Sequence, residues 1–437
     1  MTSDDPRTQY QNELSRLDKA TTNGHLSSDE AAAIRDFLKA KDPDNLSVTD
    51  ADGETLEPSS LAAYAQALRL VGKRHDDPLT DTTADAVNEV MQAVTDGSHP
   101  DVKDDGLSKN TVAQHQSAAR KFYQYHTTFD ADADQIVIFR PKRTPVDDRD
   151  LFDRDEVEAM RDVIDNPRDR CLFELLIFTG QRIRVLQTLR VKDVDTDEGV
   201  FWINAEANGT KGAEQNGKKR PLLGAKRAVY DWLQYHPTGD PDDYLITIRP
   251  SANRGTPGEK LHQTTVNRIL KGIAEDAGVA DRKNVHAHLF RHYFVTVAKR
   301  DYELDNDTIK HLAGQQPDSK IMETTYSHLT DDDYIEAAEV ATGIREPDED
   351  DGSLTPNICG TCGTRLDPGA KACEACGTVY APDAKAVQEQ IGDQVKGSYA
   401  ETDPDDGDTM EKVDAVDELL DDPDVKQALL DRLTDDG

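Results

Sequence analysis

Residues 286–294 read HAHLFRHYF. Three histidines and an arginine fall within seven positions there, inside an apolar run that has the look of a buried helix. Burying a cation costs on the order of several kcal/mol unless a partner compensates it. The cluster therefore needs a counter-charge, and a phosphate would supply one. His288 and Arg291 stand three apart, which puts both on one helical face, and Arg291 brings a planar fork of donors that suits phosphate oxygens.

The surrounding chain is strongly acidic. Asp and Glu total 86 against 51 Lys and Arg, for a formal charge of -35, a balance that ordinarily argues against nucleic acid as a partner. The carboxylates are spread along the chain in short DD, DxD and DE groups. Such a surface resembles that of proteins from halophilic organisms that hold molar salt in the cytoplasm, where screening removes most self-repulsion. Overall charge then reports habitat more than partner, and the places where positive charge survives matter more. Residues 205–230 carry Lys211, Lys218, Lys219, Arg220, Lys226 and Arg227 against Glu206 and Glu214, a local +4. Residues 281–300 carry Arg282, Lys283, Arg291, Lys299 and Arg300 against Asp281, again +4.

At 437 residues the chain exceeds the usual single core, so two or three domains are expected. It opens with no charged segment leading into an apolar one, and no apolar run approaches the roughly 18 residues a membrane span needs. The expectation is a cytoplasmic protein, neither exported nor inserted. Residues 1–145 read as a helical bundle, with residues 1–55 open to being a separate helical extension. Ser27 and Glu30 stand at capping-box spacing, and Ser108 precedes a long amphipathic pattern. FRPKRTPVDDRD, residues 139–150, reads as a linker, after which Asp153 and Glu156 mark another helix start. Helical patterns dominate 146–345. They are interrupted by GVFWINA and KKRPLL, two short strands around a polar loop, and resume at Gly224.

Residues 355–381 hold a different kind of module. Cys359 and Cys362 form one Cys-x-x-Cys pair, Cys373 and Cys376 another, and each pair is followed by Gly. Two such pairs in a chain without signs of export read as four thiolate ligands to one tetrahedral zinc, a closed and therefore structural site. The module resembles short zinc ribbons appended to many archaeal proteins and reads as an accessory to the chemistry. Cys171, in CLFELLIF, reads as a core residue. Residues 382–437 form an acidic tail with a short weakly amphipathic segment; from 381 onward the chain holds 18 acidic and 5 basic residues.

Read outward from HAHLFRHYF, the remaining signals fall into an ordered set. FTGQRIRVLQTLRVKDVD presents Arg182 after a Thr-Gly turn, and GTKGAEQNGKKRPL places Lys211 in the hairpin. His288 and Arg291 follow, then IKHLAGQQPDSKIMETTYSHLT, which contains Gln315 and ends near Tyr326. This order, in these contexts, closely resembles the tyrosine recombinases of the phage integrase family over roughly residues 55–345. The resemblance implies a mainly α fold with a small β hairpin or sheet in the catalytic domain, beside an N-terminal helical DNA-binding bundle. It implies a site-specific recombinase or integrase acting on double-stranded DNA, assembled as a homo-oligomer, a tetramer on paired sites. DDDYIEAAEVATGI is the candidate for a C-terminal helix passed to a neighbour.

Carried across, Tyr326 attacks the scissile phosphate to form a 3'-phosphotyrosyl link. Arg182 and Arg291 clamp the non-bridging oxygens, Lys211 protonates the leaving 5' oxygen, and His288 assists proton transfer at the nucleophile. No cofactor is needed for this chemistry. Arg182 and Arg291 would then carry charge left uncompensated until DNA arrives. Tyr293 and Tyr302 read as packing residues. The chain departs from the family at Val185, where a Glu is usual, and at Gln315, where a His or Trp is usual. Gln donates a neutral hydrogen bond but cannot carry a proton, so His311, one turn earlier, is a candidate to compensate. Two other readings stay open: a catalytically weakened DNA-binding regulator, and a zinc-ribbon interaction scaffold.

Overall fold

Helices begin where the sequence places its caps in the computed structural model, which describes residues 5–45, 54–140, 151–204, 217–253, 255–302, 304–319, 354–367 and 369–380, with 207, 209, 210, 213 and 342 besides. The chain divides into two units, Met1–Arg143 and Thr144–Gly437.

The first unit is helical. It contains α1 (Pro6–Thr22), α2 (Ser28–Ala40), α3 (Pro58–Lys73), α4 (Ala84–Asp96) and α5 (Lys109–Tyr125). Ser27 and Glu30 form the expected capping box on α2, each side chain reaching the other's backbone N–H. The Ser108 hydroxyl accepts from Thr111 N at the start of α5. Leu17, Ile34, Phe37, Leu68, Val87 and Phe122 make the centre of a closed apolar core, and the ring of Phe37 meets that of Phe122 edge-on at 6.0 Å.

The second unit is mainly α with one small sheet. Its elements are α6 (Arg154–Asp162), α7 (Pro167–Thr179), α8 (Ile183–Thr188), β1 (Val194–Asp195), β2 (Val200–Trp202), β3 (Lys219–Pro221), α9 (Lys226–Gln234), α10 (Gln263–Asp276), α11 (Ala287–Arg300) and α12 (Asn306–Leu312). The strands lie antiparallel in the order β1-β2-β3, with Phe201 opposite Arg220. GVFWINA and KKRPLL thus form the expected pair; β1, two residues long, carried too little pattern to be read.

Helix α7 is buried on every side, Cys171 through Thr179, as an all-round apolar helix at the middle of a core must be. Helix α11 packs along it, Phe290 meeting Phe173 at 5.5 Å. The carboxylate of Glu174 on α7 accepts from Nε and Nη2 of Arg161 on α6 at 2.8 and 2.9 Å, a buried two-pronged pair that locks these helices together. Val185, Tyr293 and Tyr302 belong to the same core, so Val185 acts in packing and the two tyrosines are interior residues. Cys171 is fully buried, as read from the sequence.

Residues 354–380 fold as two similar knuckles. Cys359 N donates to Thr364 O at 2.7 Å and Cys373 N to Thr378 O at 2.8 Å, with Gly363 and Gly377 closing the turns at positive φ. This module does not stand apart from the second unit. Leu354, Leu366, Ala372, Val379 and Tyr380 join the core built around α7. Among the described residues no helix is long and apolar enough to cross a membrane.

Candidate active site

The site is assembled at the C-terminal end of α7. That helix ends in Gly180, whose φ of +56° turns the chain sharply into Arg182, the N-cap of α8. A Cβ at position 180 would lie 2.3 Å from Cδ1 of Phe294, so glycine is what lets the end of α7 close against α11. Arg291, on α11 and only 3% exposed, reaches this turn and donates from Nη1 to Gly180 O at 2.9 Å.

The same guanidinium also donates to Ala313 O, just beyond α12. Arg182 Nη1 donates to the next carbonyl, Gly314 O, and Gln181 Nε2 to the preceding one, Leu312 O. Three side chains therefore hold three successive carbonyls of one turn, immediately before Gln315. Gln315 is 1% exposed, and its N–H donates to Lys310 O at 2.8 Å. The expectation of uncompensated charge on Arg182 and Arg291 needs correcting: backbone carbonyl dipoles already face both guanidinium groups. A backbone acceptor offsets part of the cost of a buried charge.

The histidines of HAHLFRHYF separate by environment. His286 is the N-cap residue of α11, His288 on the first turn is exposed, and His292 is buried. The rings of His288 and His292 meet edge-on at 4.5 Å. Burial, then the neighbouring His288, Arg291 and His286, push His292 down to about 4, so it is neutral at pH 7. Of the three, only His288 is exposed.

The basic islands are partly absorbed into the fold. Lys283 pairs with Glu156 and donates to Leu151 O. Arg220, in β3, is 1% exposed, and burial brings its guanidinium down to about 10. It donates to Ala213 O at 3.3 Å and lies 3.4 Å, Nη1 to Nε2, from His311 on α12. With Arg220 as donor, His311 accepts through Nε2, a role its protonated form could not play. Sequence reasoning missed both Gln181 and Arg220 as site residues. Neither carried a signal of its own: Lys219 and Arg220 are neighbouring cations that only the fold turns out and in along β3, and nothing marked Gln181. Lys211, Tyr326 and, residue 342 apart, DDDYIEAAEVATGI lie outside the described residues.

Cys359, Cys362, Cys373 and Cys376 come together as expected, their sulfurs all within 4.8 Å of one another. Cys359 and Cys376 are 3.6 Å apart, Cys362 and Cys373 3.5 Å. Four sulfurs about 2.3 Å from a tetrahedral zinc would stand roughly 3.8 Å apart, so the set fits a zinc ion. Bound there, the metal would be structural, since the four thiolates fill its coordination.

Against models of known families, residues 150–332 match the phage integrase family. The chain carries a phage integrase family domain. That domain spans α6 to α12 and includes Arg182, Gln181, Arg220, Arg291 and Gln315. Among curated proteins, the chain is 25% identical over 208 residues to the tyrosine recombinase XerH of Campylobacter jejuni, covering 45% of this chain and 53% of that protein. It is 26% identical over 236 residues to the tyrosine recombinase XerC of Staphylococcus aureus, covering 51% and 68%. The chain thus spans about half the length of the first of these relatives. Among solved structures, XerH bound to its difH substrate in a pre-cleavage complex aligns with a TM-score of 0.45 at 16% identity, covering 78% of this chain and 98% of that one. A lambda integrase tetramer bound to a Holliday junction aligns at 0.47 and 14% identity, covering 67% and 76%.

Proposed function

We propose that this protein is a site-specific DNA recombinase that cleaves and rejoins strands through a 3'-phosphotyrosyl intermediate. The observation that carries the reading is the convergence of Arg182 and Arg291 on one turn within a phage integrase family domain. Two fixed guanidinium groups offer the charge that a pentavalent phosphorane needs, and their setting requires no reorganisation at the moment of reaction. Tyr326 is the nucleophile, Lys211 the acid for the leaving 5' oxygen, and His288 the exposed group that assists proton transfer. Gln315 donates a neutral hydrogen bond in place of a protonatable side chain. The substrate is double-stranded DNA, held by a homo-tetramer on paired sites, and the protein acts in the cytoplasm.

The test is a suicide substrate containing the cognate site, nicked so that the strand released after cleavage diffuses away. Wild-type protein should become covalently linked to DNA, and Tyr326→Phe should bind the site without forming the link. An adduct formed normally by Tyr326→Phe would remove the assignment of the nucleophile. Site binding by the wild type with no adduct would favour the second reading, a DNA-binding regulator, for which Gln315 is the specific observation.

A further inference from the structure

Within the second unit the ribbon meets α7, the helix whose C-terminal turn leads into Arg182. Tyr380 is 1% exposed; its hydroxyl donates to Cys359 Sγ at 3.1 Å and accepts from Gly360 N at 3.2 Å. Its ring lies 6.1 Å from that of Phe178, tilted by 46°. Phe178 is on α7, two residues before Gly180, and is held from other sides by the Arg161 guanidinium, 5.8 Å from its centroid, and by the backbone at Gly224. One residue thus touches a cysteine sulfur with its polar end and the α7 core with its apolar face.

The rest of the seam is looser. A cavity of about 480 Å³ runs along it, bordered by Arg161, Glu174, Phe178, Arg227, Cys359 and Tyr380. Besides Tyr380, Leu354, Leu366, Ala372 and Val379 join the same core, and at the ribbon's entry Arg154 Nη2 donates to Thr355 O at 2.8 Å and to Asn357 Oδ1 at 3.3 Å. A module of about this size cannot build a sufficient core alone, and small thiolate-ligated folds lose their structure when the metal leaves. Loss of the knuckles would release Tyr380 and open the face of Phe178 to water.

We propose that the cysteine cluster, loaded with zinc, braces the C-terminal end of α7, and that Tyr380 is the positioning residue that carries metal occupancy to the Gly180–Arg182 turn. The four-thiolate site then serves more than its own fold. It sets how firmly the Arg182 guanidinium is held, although no ribbon atom belongs to the arginine turn itself. The inference deepens the recombinase reading but depends on it only for the activity measurement.

The test uses the full chain and hydrogen exchange, which involves no DNA. Zinc content is first measured by elemental analysis, and the metal is then withdrawn with a chelator. Withdrawal should speed exchange in peptides spanning Phe173–Gly180 by on the order of tenfold or more, while peptides of α3 in the first unit stay unchanged. Tyr380→Ala that keeps one zinc per chain should show the fast exchange even when loaded, and Tyr380→Phe, which keeps the ring, should restore most of the protection. If Tyr380→Ala fails to hold zinc, Phe178→Leu probes the same contact from the side away from the ligands: exchange in α7 should become the same with and without metal. Equal exchange in loaded and stripped wild type, a tenfold zinc response surviving in Phe178→Leu, or a purified chain with no zinc uptake would each overturn the proposal. In the suicide-substrate assay the loaded Tyr380→Ala protein should form adduct at least about tenfold more slowly at saturating DNA, with site affinity unchanged. A protein inert toward DNA would leave the exchange result standing, so the two readings fail separately.

Discussion

Arg182 and Arg291 donate to adjacent backbone carbonyls, Gly314 and Ala313, so one turn after α12 is clasped by guanidinium groups from two helices distant in sequence. Arg291 also grips Gly180 O, which ties the turn bearing Arg182 to the same guanidinium. The two arginines differ in burial, Arg182 being half-buried and Arg291 buried, and their substitutions should differ accordingly.

Replacing either arginine with alanine should slow adduct formation by on the order of a hundredfold or more, the scale of losing one preorganised charge donor. Arg291→Ala should in addition lower stability by about 2–4 kcal/mol, because it leaves two buried carbonyls without their donor. Arg182→Ala, which takes the donor from one such carbonyl at a half-buried position, should cost less, about 1 kcal/mol. Single-turnover kinetics and urea unfolding measure the two effects; normal adduct rates in both proteins would remove phosphate binding from HAHLFRHYF.

Gly180→Ala should destabilise the second unit by about 2–4 kcal/mol, combining a strained left-handed residue with overpacking against Phe294. The Cβ has no flexible side-chain terminus to push aside, since it meets the ring near its attachment point. An unfolding midpoint within error of wild type would show that α7 and α11 separate easily at this end.

His292 gives the second unit a pH dependence of defined sign. Its folded value lies near 4, below the ordinary 6.5, so the unfolded chain binds the proton more tightly. The contribution to stability is complete above pH 6.5 and is lost as pH falls toward 4, by at most about 3 kcal/mol. His292→Gln should flatten the fall in thermal midpoint between pH 7 and 5 without abolishing it, because His115 in the first unit is also pushed down to about 4, by burial and then Arg74. Identical slopes for wild type and variant would show that His292 does not titrate with unfolding.

Gln315→His should leave adduct formation equal or faster, since it supplies a donor that can also carry a proton. His311 is engaged with Arg220, so it is poorly placed to make up the difference in the wild-type protein. A rate reduced tenfold or more in a folded variant would mean that Gln315 is fitted to its buried site as glutamine.

Much of this architecture was legible in linear sequence because its causes are local. Capping at Ser27, Ser108 and Asp153 depends on residues within one helical turn, and the pairing of GVFWINA with KKRPLL depends on alternation across a short hairpin. The cysteine spacing specified a four-sulfur cluster for the same reason: each knuckle is closed by its own few residues. Residue type and context also singled out Arg182, His288 and Arg291 as candidates. What the sequence could not say was which atoms these side chains would meet. Arg220 reads as one more charge in a basic island, yet the fold buries it against His311, because burial of a strand residue depends on what lies across the sheet. Gln181 carries no motif, and only the closure of α7, α11 and α12 gives it Leu312 O to hold. Likewise the ribbon reads as an appendage, since its ligands are local. Its place in the core around Phe178 is a tertiary fact, settled by the apolar surface that Tyr380 and its neighbours must bury and that 27 residues cannot cover among themselves.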